Sequence, residues 1–226
     1  TWKCAVAFGN SSSPAEVVLH RTRESGVLAR SIDLRSDVAL RFSDVLTNPV
    51  LTAVLATLGV EDEYAFQEVS RQGPGLSIIT KSTVPFRSGL GTSSSLTVCG
   101  CAAAHRLLRA PIDAADLAER AFHLESRVYH VGWQDHYAAV FGGANLITRS
   151  HDDTHAQVSA LSTSLSVLLH EHAVVSFLAG TPHGSLPWPE PSSVIHSRIE
   201  QMDRILGEFL ECQQSITSAQ LRHLIE

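Results

Sequence analysis

Alternating and β-branched runs open the chain, helical spacings fill its middle, and short apolar runs return towards its end. Residues 1–8 alternate as a strand does, 10–14 make a polar turn, and 16–20 and 27–32 predict two more strands joined as a hairpin through Glu24-Ser25-Gly26. From Asn48 to Leu58 the period changes. Apolar residues at 50, 51, 54, 55 and 58 follow a helix, with Asn48 as its cap and Pro49 in its first turn. Residues 76–84, rich in β-branched side chains between Gly75 and Pro85, predict a strand, and 96–109 predict a helix whose one breaker is Gly100. Pro111 closes that helix. Asp113 caps the next, with Asp116 in its first turn, and it runs over about 114–130 on a stripe of Leu117, Ala121, Leu124 and Val128. Residues 144–148 predict a strand that closes a first domain at 1–148. Beyond it, 165–169 and 173–178 have strand length, 180–184 and three prolines (Pro187, Pro189, Pro191) make a loop, and 194–210 are spaced as a helix, with Thr217 or Ser218 capping a last one. Strands followed by helices predict an α+β second domain over 149–226.

The strand at 76–84, the glycine-hydroxyl stretch after it and the following helix form one unit. The first amides of a helix lack internal partners and sit at the positive end of its dipole, so an anion fits there. Gly89 and Gly91 allow close backbone approach, and Thr92, Ser93 and Ser94 add hydroxyls for phosphate oxygens or Mg²⁺. Phosphate binding is the function this stretch predicts. A glycine turn capped by Ser or Thr is the simpler alternative. It is not a G-x-x-x-x-G-K-[ST] loop, because no Lys follows the second glycine.

Composition narrows the field. With 226 residues, 44% of them apolar, the chain can bury a core for one or two domains. Seventeen basic against 23 acidic residues leave a net charge of −6 and no basic stripe with interleaved aromatics, which argues against nucleic acid and membrane surfaces as partners. The longest apolar runs fall far short of the roughly 20 residues that span a bilayer, and no secretory pattern opens the chain, so the cytoplasm is the expected compartment. Thr1 stands where an initiator Met is absent, which predicts preceding sequence. Cys4, Cys99, Cys101 and Cys212 show no C-x-x-C spacing; Cys99 and Cys101 point to different sides of the predicted helix and are expected as buried thiols. His151 to His155 and His170-Glu171-His172 contain ligand types without the H-E-x-x-H pattern, and no zinc site is expected.

Two carboxylates are candidates for chemistry. Glu125 flanks the apolar stripe, and its neighbours three and four residues away are Ala121, Phe122, Val128 and Tyr129, so no basic side chain reaches it along the helix. A carboxylate against an apolar face needs compensation, which a divalent cation supplies; a solvent-exposed edge residue is the alternative. Asp135 lies in a turn between Gly132 and Gly142-Gly143. It is either the N-cap of a helix through Ala138 and Ala139, or a carboxylate that accepts or orients the proton of a substrate hydroxyl.

Pro85-x-x-x-Gly89-Leu90-Gly91-Thr92-Ser93-Ser94-Ser95 resembles the P-x-x-x-G-L-G-S-S-A-A loop of the GHMP small-molecule kinases, named after galactokinase, homoserine kinase, mevalonate kinase and phosphomevalonate kinase, with Thr92 for Ser and Ser94 for Ala. Gly132-Trp133-Gln134-Asp135-His136-Tyr137-Ala138-Ala139-Val140-Phe141-Gly142-Gly143 resembles the G-x-Q-D-x-Y-A-A-x-F-G-G run of their sugar-kinase branch, which includes bacterial heptose phosphate kinases. The resemblance implies a two-layer α+β fold, with a left-handed β-α-β N-terminal domain and an incomplete ferredoxin-like C-terminal domain. It implies ATP and Mg²⁺ as cofactors. The ATP phosphates would be held by Arg87, Ser88, Gly89, Leu90, Gly91, Thr92, Ser93 and Ser94, the metal by Ser93 and Glu125, and the substrate hydroxyl by Asp135 as the catalytic residue. The substrate would be a sugar or sugar phosphate, phosphorylated at its anomeric hydroxyl, with a homodimer left open. The family's N-terminal substrate motif and C-terminal glycine-rich motif are not found between Thr1 and Glu226. The chain is then expected to be a fragment or partly ordered chain of an active kinase, or a nucleotide-binding module that keeps the fold without the chemistry.

Overall fold

The computed structural model describes residues 2–8, 12–71, 74–84, 91–143, 145–150 and 154–163 and seven positions between 197 and 211, with backbone alone before residue 15. In chain order the elements are β1 (Trp2–Phe8), β2 (Ser12–Arg21), β3 (Val27–Ser31), β4 (Ser36–Ala39), α1 (Phe42–Val45), α2 (Pro49–Thr57), α3 (Glu63–Arg71), β5 (Leu76–Ser82), α4 (Thr92–Leu108), α5 (Ala114–Ser126), α6 (Gln134–Phe141), β6 (Asn145–Thr148) and β7 (Gln157–Ala160). The α+β class expected from the sequence is the one observed.

Strands β2 and β3 do not form the hairpin expected through Glu24-Ser25-Gly26. Instead β5 enters between them, antiparallel to β2 and parallel to β3, giving the sheet order β1-β2-β5-β3-β4. The backbone of the 22–26 turn is spent on β5. Gly75 N donates to Glu24 O at 2.9 Å, Leu76 N donates to Gly26 O at 2.9 Å, and Thr22 N donates to Gly75 O at 2.8 Å. A Cβ on residue 75 would collide with the carbonyls of Glu24 and Gly26, so glycine is required for this approach. The centre also suits β5 because its first three residues are buried in succession, on both faces of the sheet. Strand β2 begins at Ser12, inside the stretch expected as a turn, and pairs with β1 from Leu19 back to Ser12. Strand β4 and helices α1 and α3 are additions to the sequence expectations; α1 buries only Val45 and α3 only Phe66.

Alternation along β2 turns Ala15, Val17 and Leu19 to one face, where they pack with Val54, Leu55, Leu96, Cys99 and Ala103 of α2 and α4. A second cluster joins Ala53 and Ala56 of α2, Val98 and Cys101 of α4, and Ala121 and Leu124 of α5. Cys99 and Cys101 thus serve different clusters, as two positions 200° apart on a helix must. Helix α2 is buried along its whole length, capped by the Asn48 side chain, which accepts from Val50 N and Leu51 N at 3.0 and 3.2 Å. Asp113 caps α5 through Asp116 N at 2.9 Å. That helix ends at Ser126, short of the expected His130, so Val128 lies beyond its stripe.

Contacts group residues 1–142 with 149–156 as one compact unit and 143–148 with 157–226 as another. In the second, β6 and β7 pair antiparallel. Of the helix expected over 194–210, Ser197, Glu200, Gln201, Arg204, Gly207 and Glu208 are helical. The strands expected at 165–169 and 173–178, the proline loop, the cap at Thr217 or Ser218, and His170 to His172 lie outside the described residues. Among the described residues no helix is long and apolar enough to cross a membrane.

Gly100 of α4 faces Val54 and Val50 of α2. A Cβ there would lie 2.9 Å from Val54 Cγ2 and 3.5 Å from Val50 Cγ1. Gly100→Leu should therefore overpack this contact and cost about 1–3 kcal/mol, seen as a lower urea midpoint with an unchanged slope. A wild-type midpoint would mean that the two helices have room to spare.

Candidate active site

Helix α4 starts at Thr92, four residues earlier than its apolar spacing suggests, so Thr92, Ser93 and Ser94 form its first turn. Its N-cap is Gly91, in the left-handed region at φ +66, and no side chain caps it. Among the described residues no side chain caps the amides of that turn, unlike those of α2 and α5, whose caps accept through Asn48 and Asp113. Gly91 also marks where the two glycine-containing motifs meet, since a Cβ there would stand 3.4 Å from Asp135 Cγ. Arg87, Ser88, Gly89 and Leu90 lie outside the described residues.

Glu125, in the last turn of α5, is 0% exposed. The Ser93 hydroxyl of α4 donates to its Oε1 at 2.6 Å, and His136 Nε2 of α6 lies 2.7 Å from its Oε2. This removes the solvent-exposed alternative. No basic side chain reaches Glu125 along α5, as expected, but a fully buried histidine does from another helix. Burial pushes the Glu125 carboxyl up, while the hydrogen bond from His136, that from Ser93, the charge of His136 and a weaker bond from Ser94 together hold it below the usual glutamate range. An ionised carboxylate only accepts, so Nε2 of His136 carries the shared proton.

Asp135 is the second residue of α6. Trp133 occupies the N-cap position, so Asp135 is not the cap. Its side chain keeps access to solvent, which limits any shift, but the protein packed around it pushes its carboxyl above the ordinary aspartate range; His136 opposes this and Glu125 adds to it. Three sequence-selected residues, Ser93, Glu125 and Asp135, are thereby brought to one place beside Gly91.

A magnesium ion demands oxygen ligands at 2.0–2.1 Å in octahedral array, which sets adjacent ligand oxygens about 2.9 Å apart. Ser93 Oγ and Glu125 Oε1, 2.6 Å apart, are an oxygen pair close to that spacing, and Glu125 is kept ionised. The pair fits such an ion. Among the described residues no group of three His, Cys, Asp or Glu side chains is placed to hold a metal. Beside Ser93 opens a cavity of about 430 Å³, with Leu40, Val50 and Leu96 among its apolar lining residues and Arg30, Asp33 and Asp44 among its charged ones.

The sequence reading missed His136, whose sole signal was its place between Asp135 and Tyr137 in the second motif. It also missed Glu119, a buried carboxylate of α5 that needs no cation: Arg149 grips both its oxygens at 2.8 and 3.2 Å, and the Tyr137 hydroxyl donates to it at 2.9 Å. Tyr137 also accepts from Ala156 N at 2.9 Å, which fastens Ala156 to α6.

Residues 52–143, the span that holds Gly91, Ser93, Glu119, Glu125, Asp135, His136 and Tyr137, match the family model of the GHMP kinases N terminal domain. Over that stretch the chain is similar to the GHMP kinase N-terminal domain. A curated relative, D-glycero-alpha-D-manno-heptose 7-phosphate kinase of Campylobacter jejuni, is 35% identical over 83 residues, which are 36% of this chain and 24% of that protein. A solved mevalonate kinase shares the fold with a TM-score of 0.58 at 15% identity, over 90% of this chain and 64% of its own. A heptose 1-phosphate kinase from Bacteroides thetaiotaomicron does so with a TM-score of 0.52 at 19% identity, over 74% and 60%. The chain thus spans less than two thirds of each of these GHMP-type proteins.

A carboxyl whose folded pKa lies below its unfolded value contributes stability above the unfolded value and loses it as the pH falls through the folded one. Glu125 is such a group. Wild type should therefore lose stability relative to Glu125→Gln as the pH drops from neutral to below about 4.3, the ordinary glutamate value, in parallel urea titrations. Equal pH dependence would contradict the bonding described for Glu125.

Proposed function

We propose that this chain is the nucleotide-binding part of an ATP-dependent kinase that phosphorylates a sugar or sugar phosphate, at the anomeric hydroxyl. The observation that carries the proposal is the Ser93–Glu125 pair at 2.6 Å at the uncapped start of α4, with Asp135 set against Gly91. The open amides of α4 receive phosphate oxygens, with the loop residues Arg87 to Leu90 completing the cradle. The cavity beside Ser93 takes the base and ribose. Ser93 and Glu125 would hold Mg²⁺, which when bound neutralises the charge of the nucleotide phosphates. Asp135 accepts or orients the proton of the acceptor hydroxyl, and an upward shift of its pKa moves it towards the range where a general base works best. The sugar phosphate class follows from the Campylobacter relative, whose name states a heptose 7-phosphate substrate. The cytoplasm, where ATP is supplied, is the compartment this reading expects.

ADP release by the full-length protein, measured against hexoses, heptoses and their phosphates, tests this. Turnover is expected with at least one of them, and Asp135→Asn should cut kcat by on the order of 10²-fold or more while ATP binding is kept. Glu125→Gln should be partly rescued by raising the Mg²⁺ concentration, and Asp135→Asn should not. Intact nucleotide binding with no turnover on any of these sugars overturns the proposal in favour of a binding module.

A further inference from the structure

Asp135 and His136 are neighbours on the first turn of α6 and face different ways: Asp135 is exposed and set against Gly91, and His136 is 0% exposed and set against Glu125. One turn of backbone therefore carries the proposed base and an imidazole that touches the proposed metal ligand. Two contacts, His136 Nε2 to Glu125 Oε2 at 2.7 Å and Ser93 Oγ to Glu125 Oε1 at 2.6 Å, then run from α6 through α5 to the first turn of α4. Each oxygen of the carboxylate has its own partner, so its rotation is blocked and Oε1 is the oxygen turned to the α4 side.

The choice of histidine is not explained by packing. Its ring lies edge-on to Phe122, with centroids 5.8 Å apart and planes at 69°, a contact that a phenylalanine would keep. Its Nδ1 is buried and has no hydrogen-bond partner among the described residues, which burdens the folded state. A residue kept for stability alone would not leave that atom unsatisfied. What histidine supplies, and phenylalanine cannot, is the donor to Oε2.

We propose that His136 is a positioning residue: by holding Glu125 it fixes the metal-holding oxygen relative to Asp135, so that metal site and base move as one body. This rests on the proposed kinase function. Partners that orient a ligand in this way commonly change metal affinity by 10–100-fold when removed.

The test compares His136→Phe, which keeps the ring and removes the donor, with His136→Gln, whose amide places a donor near the position of Nε2. Mn²⁺ affinity of the protein with ADP is read by the loss of the free-ion EPR signal, and kcat and KM are read beside it. The expected result is a 10–100-fold weaker Mn²⁺ affinity and a lower kcat in His136→Phe, with the sugar KM little changed and His136→Gln within about threefold of wild type. A folded His136→Phe with wild-type affinity overturns the inference, and so do Phe and Gln variants impaired to the same degree. If His136→Phe does not fold, His136→Met against His136→Gln decides by the same two criteria. A wild type that binds Mn²⁺ with ADP but phosphorylates no sugar removes the kinase function and leaves the metal comparison standing; one that binds no Mn²⁺ overturns both.

Discussion

Glu125 is a carboxylate withdrawn completely from water, and the rest of the site depends on how its charge is met. Burying a carboxylate is costly unless hydrogen bonds or an opposite charge compensate it. Helix α5 cannot supply them, because the side chains within its reach along the helix are apolar or aromatic. Compensation comes from Ser93 at the start of α4 and His136 at the start of α6, so the ends of three helices are fixed relative to one another by two bonds shorter than 3 Å. Glu119, one turn and a half earlier on α5, solves the same problem differently: Arg149 neutralises it outright. That difference separates a carboxylate met by a full opposite charge from one held by a hydroxyl and an imidazole.

The fold delivers these groups with little freedom. Central strand β5 leads into the glycine loop, and the turn at Gly91 sets the direction of α4 at once. Gly100 lets helix α4 lie directly on Val54 and Val50 of α2, while Leu96, Cys99 and Ala103 join the cluster that includes β2 and β5. Helix α5 closes on its other side through Ala121 and Leu124. The position of Ser93 is therefore set by the core, and the close-packed interior resists displacement of the turn that carries it.

Much of this was legible in the sequence wherever a local signal existed. Asn48 and Asp113 announced their helices as caps, Cys99 and Cys101 took opposite sides, and Gly91, Ser93, Glu125 and Asp135 could be selected before any coordinates. What was not legible depended on partners distant in the chain. The turn at Glu24-Ser25-Gly26 looks like a hairpin until Gly75, far along the sequence, claims its carbonyls. Glu125 appeared to lack a basic partner because helical spacing reports neighbours three and four residues away, whereas His136 arrives across a helix interface. Asp135 could not be separated from an N-cap until Trp133 was found in the cap position.

The most direct measurement is a crystal structure of the protein with Mg²⁺, a non-hydrolysable ATP analogue and a sugar phosphate. The metal should lie about 2.0–2.1 Å from Ser93 Oγ and a Glu125 oxygen, with phosphate oxygens on the amides of α4 and the acceptor hydroxyl within hydrogen-bond reach of Asp135. A nucleotide seated away from the start of α4, or a metal bound without Glu125, would contradict the role given to this carboxylate.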